Sequence, residues 1–86
     1  MIDISVSVER RDGTQDQYPV FPPTIIAFER WAKMGISSAF ASNSVKFEHL
    51  YYLGWLAEKD AGVVVKTFDE WLKTIKSVDI VDSPKG

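Results

Sequence analysis

His49 is the single histidine of this 86-residue chain, and no cysteine accompanies it. A catalytic histidine needs a nucleophile or a carboxylate oriented towards it, and a metal-bound one needs two or three further ligands. Its neighbour Glu48 points about 100° away around a helix, so the two do not converge. The simpler reading is a helix-surface or half-buried histidine making a local hydrogen bond. Asp69 and Glu70 are adjacent carboxylates, the residue type of general acid–base work, yet that work needs a cleft that moves their pKa values apart. At the start of a helix they have a structural role instead. First-turn acids favour the helix dipole, and Thr67 with Glu70 has the spacing of a capping box. Asp79 and Asp82 are spaced too thinly for a calcium loop. The motifs of phosphate loops, dinucleotide folds, nucleophile elbows and zinc helices do not occur. Without cysteine there is no disulfide, zinc–thiolate site or thiol chemistry. The expectation is no enzyme, no metal and no cofactor, but a protein that binds or assembles.

Composition narrows the partner. Net charge is −2 with a pI near 5.2, and the ten basic residues form no block larger than Arg10-Arg11. Nucleic-acid binding rests on neutralising phosphates, so the missing basic stripe argues against DNA or RNA. The start of the chain alternates and has no basic segment followed by an apolar run, unlike a signal peptide. No apolar run approaches the ~20 residues of a membrane helix. A soluble cytoplasmic protein is expected. Aromatics make up 13% with three Trp, a surplus that either compensates for a small core or leaves aromatic surface for a partner.

The elements that must position these residues follow from periodicity. Ile2, Ile4, Val6 and Val8 alternate with polar residues, as in a strand with one solvated face. Asp12-Gly13 marks a tight turn, and residues 15–21 return as a strand that Pro19 limits to an edge. A helix is predicted over 24–34, capped by Thr24, with Ile25, Phe28, Trp31 and Ala32 inward and Gly35 as its end. Residues 36–44 are either a short helix or a loop pinned by Ile36 and Phe40. The central helix, 45–61, has Asn43 or Ser44 as N-cap and Gly62 as stop. It packs Phe47, Leu50, Tyr51, Tyr52, Leu53, Trp55 and Leu56 round most of its circumference, so it reads as the buried centre or as a helix with a partner to meet. Residues 63–65 are a short strand or a connector. Phe68, Trp71, Leu72 and Ile75 have amphipathic helical spacing. Residues 78–82 are a frayed extension or a last strand, and 83–86 a mobile tail. The expected fold is α+β in one domain: an N-terminal β-hairpin (1–21) packed on a bundle of three to four helices (24–76), then a short strand or mobile tail (77–86).

Trp31, Trp55 and Trp71 fall one to each predicted helix, and at least two are expected to meet in the core. Those the small core cannot absorb are anchors for a partner, since Trp and Tyr are enriched at interaction hot spots. Tyr51, Tyr52, Trp55 and Trp71 are the candidate partner-binding residues. The last two helices imitate a helix-turn-helix, but Asp69 and Glu70 sit where a recognition helix would meet DNA.

Taken in order, Phe28-Glu29-Arg30-Trp31 before Gly35-Ile36, then Glu48-His49-Leu50 with Leu53, Trp55, Leu56 and Ala57, then Phe68-Asp69-Glu70-Trp71-Leu72, and last Val78-Asp79-Ile80-Val81-Asp82, form a set. Over about residues 24–82 it resembles the small tail assembly chaperones of long-tailed bacteriophages, encoded ahead of the tape-measure gene. The resemblance implies a non-catalytic protein of the host cytoplasm. It would hold the tape-measure protein until tail-tube subunits polymerise round it, and be absent from the mature virion. Tail-tube protein, further copies of the chain and a longer form made by a −1 ribosomal frameshift are the other implied partners; Ser83-Pro84-Lys85-Gly86 is compatible with a slippery C-CCA-AAG. The alternatives are a structural virion protein, such as a head–tail connector or tail accessory protein, and a small DNA-binding regulatory domain, which the charge disfavours.

Overall fold

In a computed structural model, which describes residues 4–40, 46–63 and 66–82, the chain is an α+β protein. Its elements run β1 (Ile4–Arg10), β2 (Gln15–Pro19), α1 (Pro22–Ala32), α2 (Ile36–Ala39), α3 (Phe47–Asp60), α4 (Phe68–Leu72) and β3 (Ile75–Asp82). The hairpin packs on the helices, as expected, and is joined by the last strand into one antiparallel sheet of order β2-β1-β3. Among the described residues no helix is long and apolar enough to cross a membrane. The expectations placed on Ile2, on Val45, on Val64 and Val65 and on the tail 83–86 lie outside the described residues.

The alternation of β1 does what its period demands. Val6 and Val8 are fully buried, opposite Tyr18 and Asp16 on one side and Ile80 and Val78 on the other. Ser7 and Glu9 take the other face, paired with Gln17 and Gln15. The β1–β2 turn closes with Arg10 N–H on Thr14 C=O and Gly13 N–H on Arg10 C=O. Asp12 caps it by accepting from the N–H and hydroxyl of Thr14, and these bonds hold its carboxyl below the usual carboxylate range.

Four boundaries differ from the sequence expectation. The N-cap of α3 is Lys46, and not Asn43 or Ser44. Thr24 does not cap α1. The N-cap is Phe21, and Pro22 opens the helix, where its missing N–H costs nothing. Thr24 is instead fully buried and donates its hydroxyl to the Asp60 carboxylate, tying α1 to α3. The helix ends on Lys33, which takes the left-handed conformation at φ 60°, and not on Gly35, the N-cap of α2. Ile75 is not helical. α4 stops at Leu72, the Thr74 hydroxyl bonds back to Trp71 C=O, and Ile75 begins β3. The open side of β1 offers a ladder to a run rich in β-branched residues, and that outweighs one more helical turn. Of the two readings of residues 78–82, the strand is the one observed. For residues 36–39 it is the short helix.

Two expected signals hold. Gly62, at φ 78°, ends α3, with Val63 N–H on Glu58 C=O and Gly62 N–H on Lys59 C=O closing the last turn. Thr67 caps α4 by accepting from Glu70 N–H.

The core lies between the inner sheet face and α3, with Leu53 and Phe28 fully buried at its centre. Gly54 sets how closely α3 approaches the sheet. A Cβ there would lie 3.0 and 3.2 Å from the two methyls of Val78 and 3.4 Å from the Trp71 ring. Because Val78 presents both methyls, rotating it does not make room. Gly54→Ala is therefore expected to lower stability in a urea titration, despite a helix-propensity gain of about 1 kcal/mol. In a Val78→Ala background the same substitution is expected to raise it. That reversal of sign is the check.

Candidate functional site

Two constellations of side chains stand out, one polar and buried, the other aromatic and half at the surface. The polar one is built around Glu58, on α3 one turn after Gly54 and only 1% exposed. Arg10 Nη2 donates to its Oε2 at 2.5 Å, and Trp71 Nε1 donates to its Oε1 at 2.9 Å. The same guanidinium donates to Asp16 at 2.8 Å and to the Tyr18 hydroxyl at 3.0 Å. The bond to Asp16, opposed by burial and helped by Tyr18 and Glu58, raises the Arg10 pKa further above its already high value. β1, β2, α3 and α4 thus meet at one carboxylate whose two oxygens are both used. Chemically this is a clasp: each carboxylate oxygen accepts from one donor, and at 1% exposure the group is shut off from solvent. Among the described residues no group of three or more His, Asp or Glu could hold a metal ion.

His49, 8% exposed, is buried between α1 and α3, with its ring edge-on to Phe28 and Trp31 at 5.8 Å from each. Its Nδ1 makes no hydrogen bond among the described residues. His49 is thus buried, and not at the helix surface or half-buried as expected, and its ring packs against aromatic neighbours. Asp69 and Glu70 are exposed in the first turn of α4, where acids favour the helix dipole.

The aromatic constellation runs across α1, α3 and α4. Trp31 stacks on Tyr52 with centroids 3.8 Å apart and planes 9° from parallel. Tyr52 meets Phe68 edge-on at 5.1 Å and Trp55 at 5.4 Å, and Trp55 meets Phe68 at 5.8 Å. All four residues are half-buried. Trp55 is fixed at both ends: its Nε1 donates to Lys66 C=O at 3.1 Å, and the Lys59 ammonium lies 5.0 Å over its ring. At the start of α3, Phe47 stacks on Tyr51 at 6.1 Å and is 74% exposed.

Of the four residues expected to meet a partner, Tyr52 and Trp55 belong to this strip, and Tyr51 lies beside Phe47. Trp71 is a correction. It is 2% exposed, its indole N–H is consumed by Glu58, and no partner reaches it in this fold. Phe47, Trp31 and Phe68 were not singled out as contact residues. Phe47 had no readable signal: expected inside a helix that starts at residue 45, it is the first residue of α3. Trp31 and Phe68 had none either, because their exposure depends on how three helices meet.

Removing one member of the clasp should be costly and removing the pair much less so. Glu58→Ala is expected to lose about 3–5 kcal/mol in urea unfolding, while Arg10→Met with Glu58→Met recovers most of it. Burial raises the Tyr18 phenol above its ordinary 10.0, against the opposing bond from Arg10, and burial likewise raises Tyr52. A phenol whose folded pKa exceeds its unfolded value contributes stability that is complete below about pH 10 and lost as pH rises through the folded pKa. Unfolding midpoints should therefore fall above pH 10, and Tyr18→Phe with Tyr52→Phe should flatten that fall.

Comparison of the chain with models of protein families, with curated proteins and with solved structures found no match.

Proposed function

We propose that this chain is a non-catalytic tail assembly chaperone of a long-tailed bacteriophage, acting on the tape-measure protein in the host cytoplasm. The order of the aromatic and acidic landmarks along the sequence suggests it. One structural observation supports it most: a strip of half-buried aromatic rings packed on one another across three helices, on a body of net negative charge. Aromatic rings give large contact area for little lost rotamer freedom, and they are tolerant of what they touch. A holder of a long, aggregation-prone helical client needs such a surface. Copies spaced along one client would let weak contacts add. Tail-tube subunits and a frameshifted longer form of the chain are further partners under this reading.

The test is co-expression with the tape-measure protein encoded next to it. The chain is expected to raise the soluble yield of that protein and to co-purify with it. Phe47→Ser with Trp55→Ser is expected to weaken the complex about 30-fold or more, the loss typical of a single aromatic hot spot, while leaving the chain folded. Purified particles should lack the chain. Its presence there in fixed copy number would instead favour a structural virion component.

A further inference from the structure

The β1–β2 turn carries Asp12-Gly13, the chain's one aspartyl–glycyl bond. Such a bond is open to rearrangement. The Gly13 nitrogen attacks Cγ of Asp12, the N–Cγ bond forms and the Cγ–OH bond breaks. The hydroxyl oxygen leaves as water, taking the amide proton and the carboxyl proton. Water then opens the cyclic imide at either of its carbonyls. Opening at Cγ restores aspartate. Opening at the main-chain carbonyl gives isoaspartate, whose backbone runs through Cβ and Cγ. The water lost is regained, so the mass is unchanged. Glycine favours the attack because no side chain stands beside the nitrogen.

The native turn keeps the two reacting groups apart. Gly13 N–H donates to Arg10 C=O at 3.0 Å, so the nucleophile is committed to the turn. The Asp12 carboxyl is drawn past Gly13 to the next residue. Its Oδ1 accepts from Thr14 N–H at 3.0 Å and from the Thr14 hydroxyl at 2.8 Å. Those bonds favour the ionised carboxyl, and a carboxylate has no hydroxyl to lose. This latch nevertheless lies at the surface. Asp12, Gly13 and Thr14 are exposed, and a Cβ on Gly13 would meet nothing within 4 Å. Opening it therefore disturbs little packing. The other described aspartates, Asp16, Asp60, Asp69, Asp79 and Asp82, all lie in strands or helices. None of them precedes a glycine.

We propose that Asp12 is the site at which this chain ages covalently to isoaspartate, and that Thr14 is the latch that sets the rate. Isomerisation takes place only while the turn is open, so it runs at the rate of the unfolded chain multiplied by the open fraction. The consequence reaches the interior. The added backbone carbon moves Thr14 relative to Arg10, whose N–H closes the hairpin on Thr14 C=O and whose guanidinium serves Glu58. A chain isomerised at Asp12 regains neither the turn nor the clasp in its native geometry. This inference does not depend on the proposed client.

The test compares the unaltered chain, folded in buffer, with the same chain unfolded in guanidinium chloride at the same mildly acid pH. Samples taken over time are digested and separated by chromatography. An isoaspartyl peptide keeps its mass and changes its retention, whereas deamidation at Asn43 changes the mass. In the unfolded chain isoaspartate is expected to accumulate at Asp12 faster than at any other aspartate. In the folded chain the rate at Asp12 is expected to be lower by about tenfold or more. Thr14→Val, shown to be folded by circular dichroism, removes one of the two bonds to the carboxylate and should raise the folded-state rate about threefold or more. Should that variant fail to fold, the comparison of folded with unfolded chain decides. Equal rates in the two states would overturn the proposal. So would an unfolded chain that spares Asp12, or a folded Thr14→Val that isomerises no faster than the unaltered chain.

Discussion

A single buried negative charge governs how this molecule is put together. Glu58 sits where the end of the sheet, the last turn of α3 and the last helix converge, and an unpaired carboxylate there would cost several kcal/mol. The fold meets that cost by bringing Arg10 from the first strand and the Trp71 indole from the fourth helix onto its two oxygens. Neither donor is local in sequence, so the charge is satisfied only when strand, helix and sheet are all in place. A hydrophobic residue of similar size could have filled the space. What it could not do is refuse other arrangements of the same elements, since slipping β1 by one residue would turn Arg10 to the opposite face. Gly54, one turn earlier, lets α3 come close enough for the contact to form.

The surface complements this arrangement. With Trp71 committed to Glu58, the rings of Trp31, Tyr52, Trp55 and Phe68 pack on one another between three helices and stay half-buried. The interior of a chain this short cannot absorb so many rings. Their mutual packing and the tethers on Trp55 hold the strip in fixed geometry, so a partner would meet a surface already ordered.

Much of the fold was legible because its signals are local. The alternation of Ile4, Val6 and Val8, the Asp12-Gly13 turn, the Thr67 cap and the Gly62 stop each act within a few residues. Where a local signal competed with a distant one, the distant one won. Thr24 looks like a cap but serves Asp60, far along the chain, because Pro22 can open the helix without help. Ile75 keeps helical spacing with Phe68, Trp71 and Leu72, yet β1 had an open ladder to fill. Spacing could not show that Glu58 is inside, because a charged residue near the end of a helix reads as solvated. The clue was its place one turn from Gly54 and next to Ala57, on the small-residue face. The candidate surface was half legible: Tyr52 and Trp55 were named from residue type, while Trp71 was assigned to the surface though it belongs to the core.

The pairing of β1 with β3 also has a kinetic meaning. β1 is made before β3, with α1 to α4 lying between them in sequence. Contacts of that separation must meet loop-closure entropy before they return anything, which places the domain among slower folders for its size. During synthesis the helices and the hairpin exist before the sheet is complete, and Val6, Val8 and Leu53 have no finished core to enter. The clasp at Glu58 is half-made in that interval, since Arg10 emerges long before Trp71. The nascent chain is therefore itself an exposed apolar client until its final strand arrives.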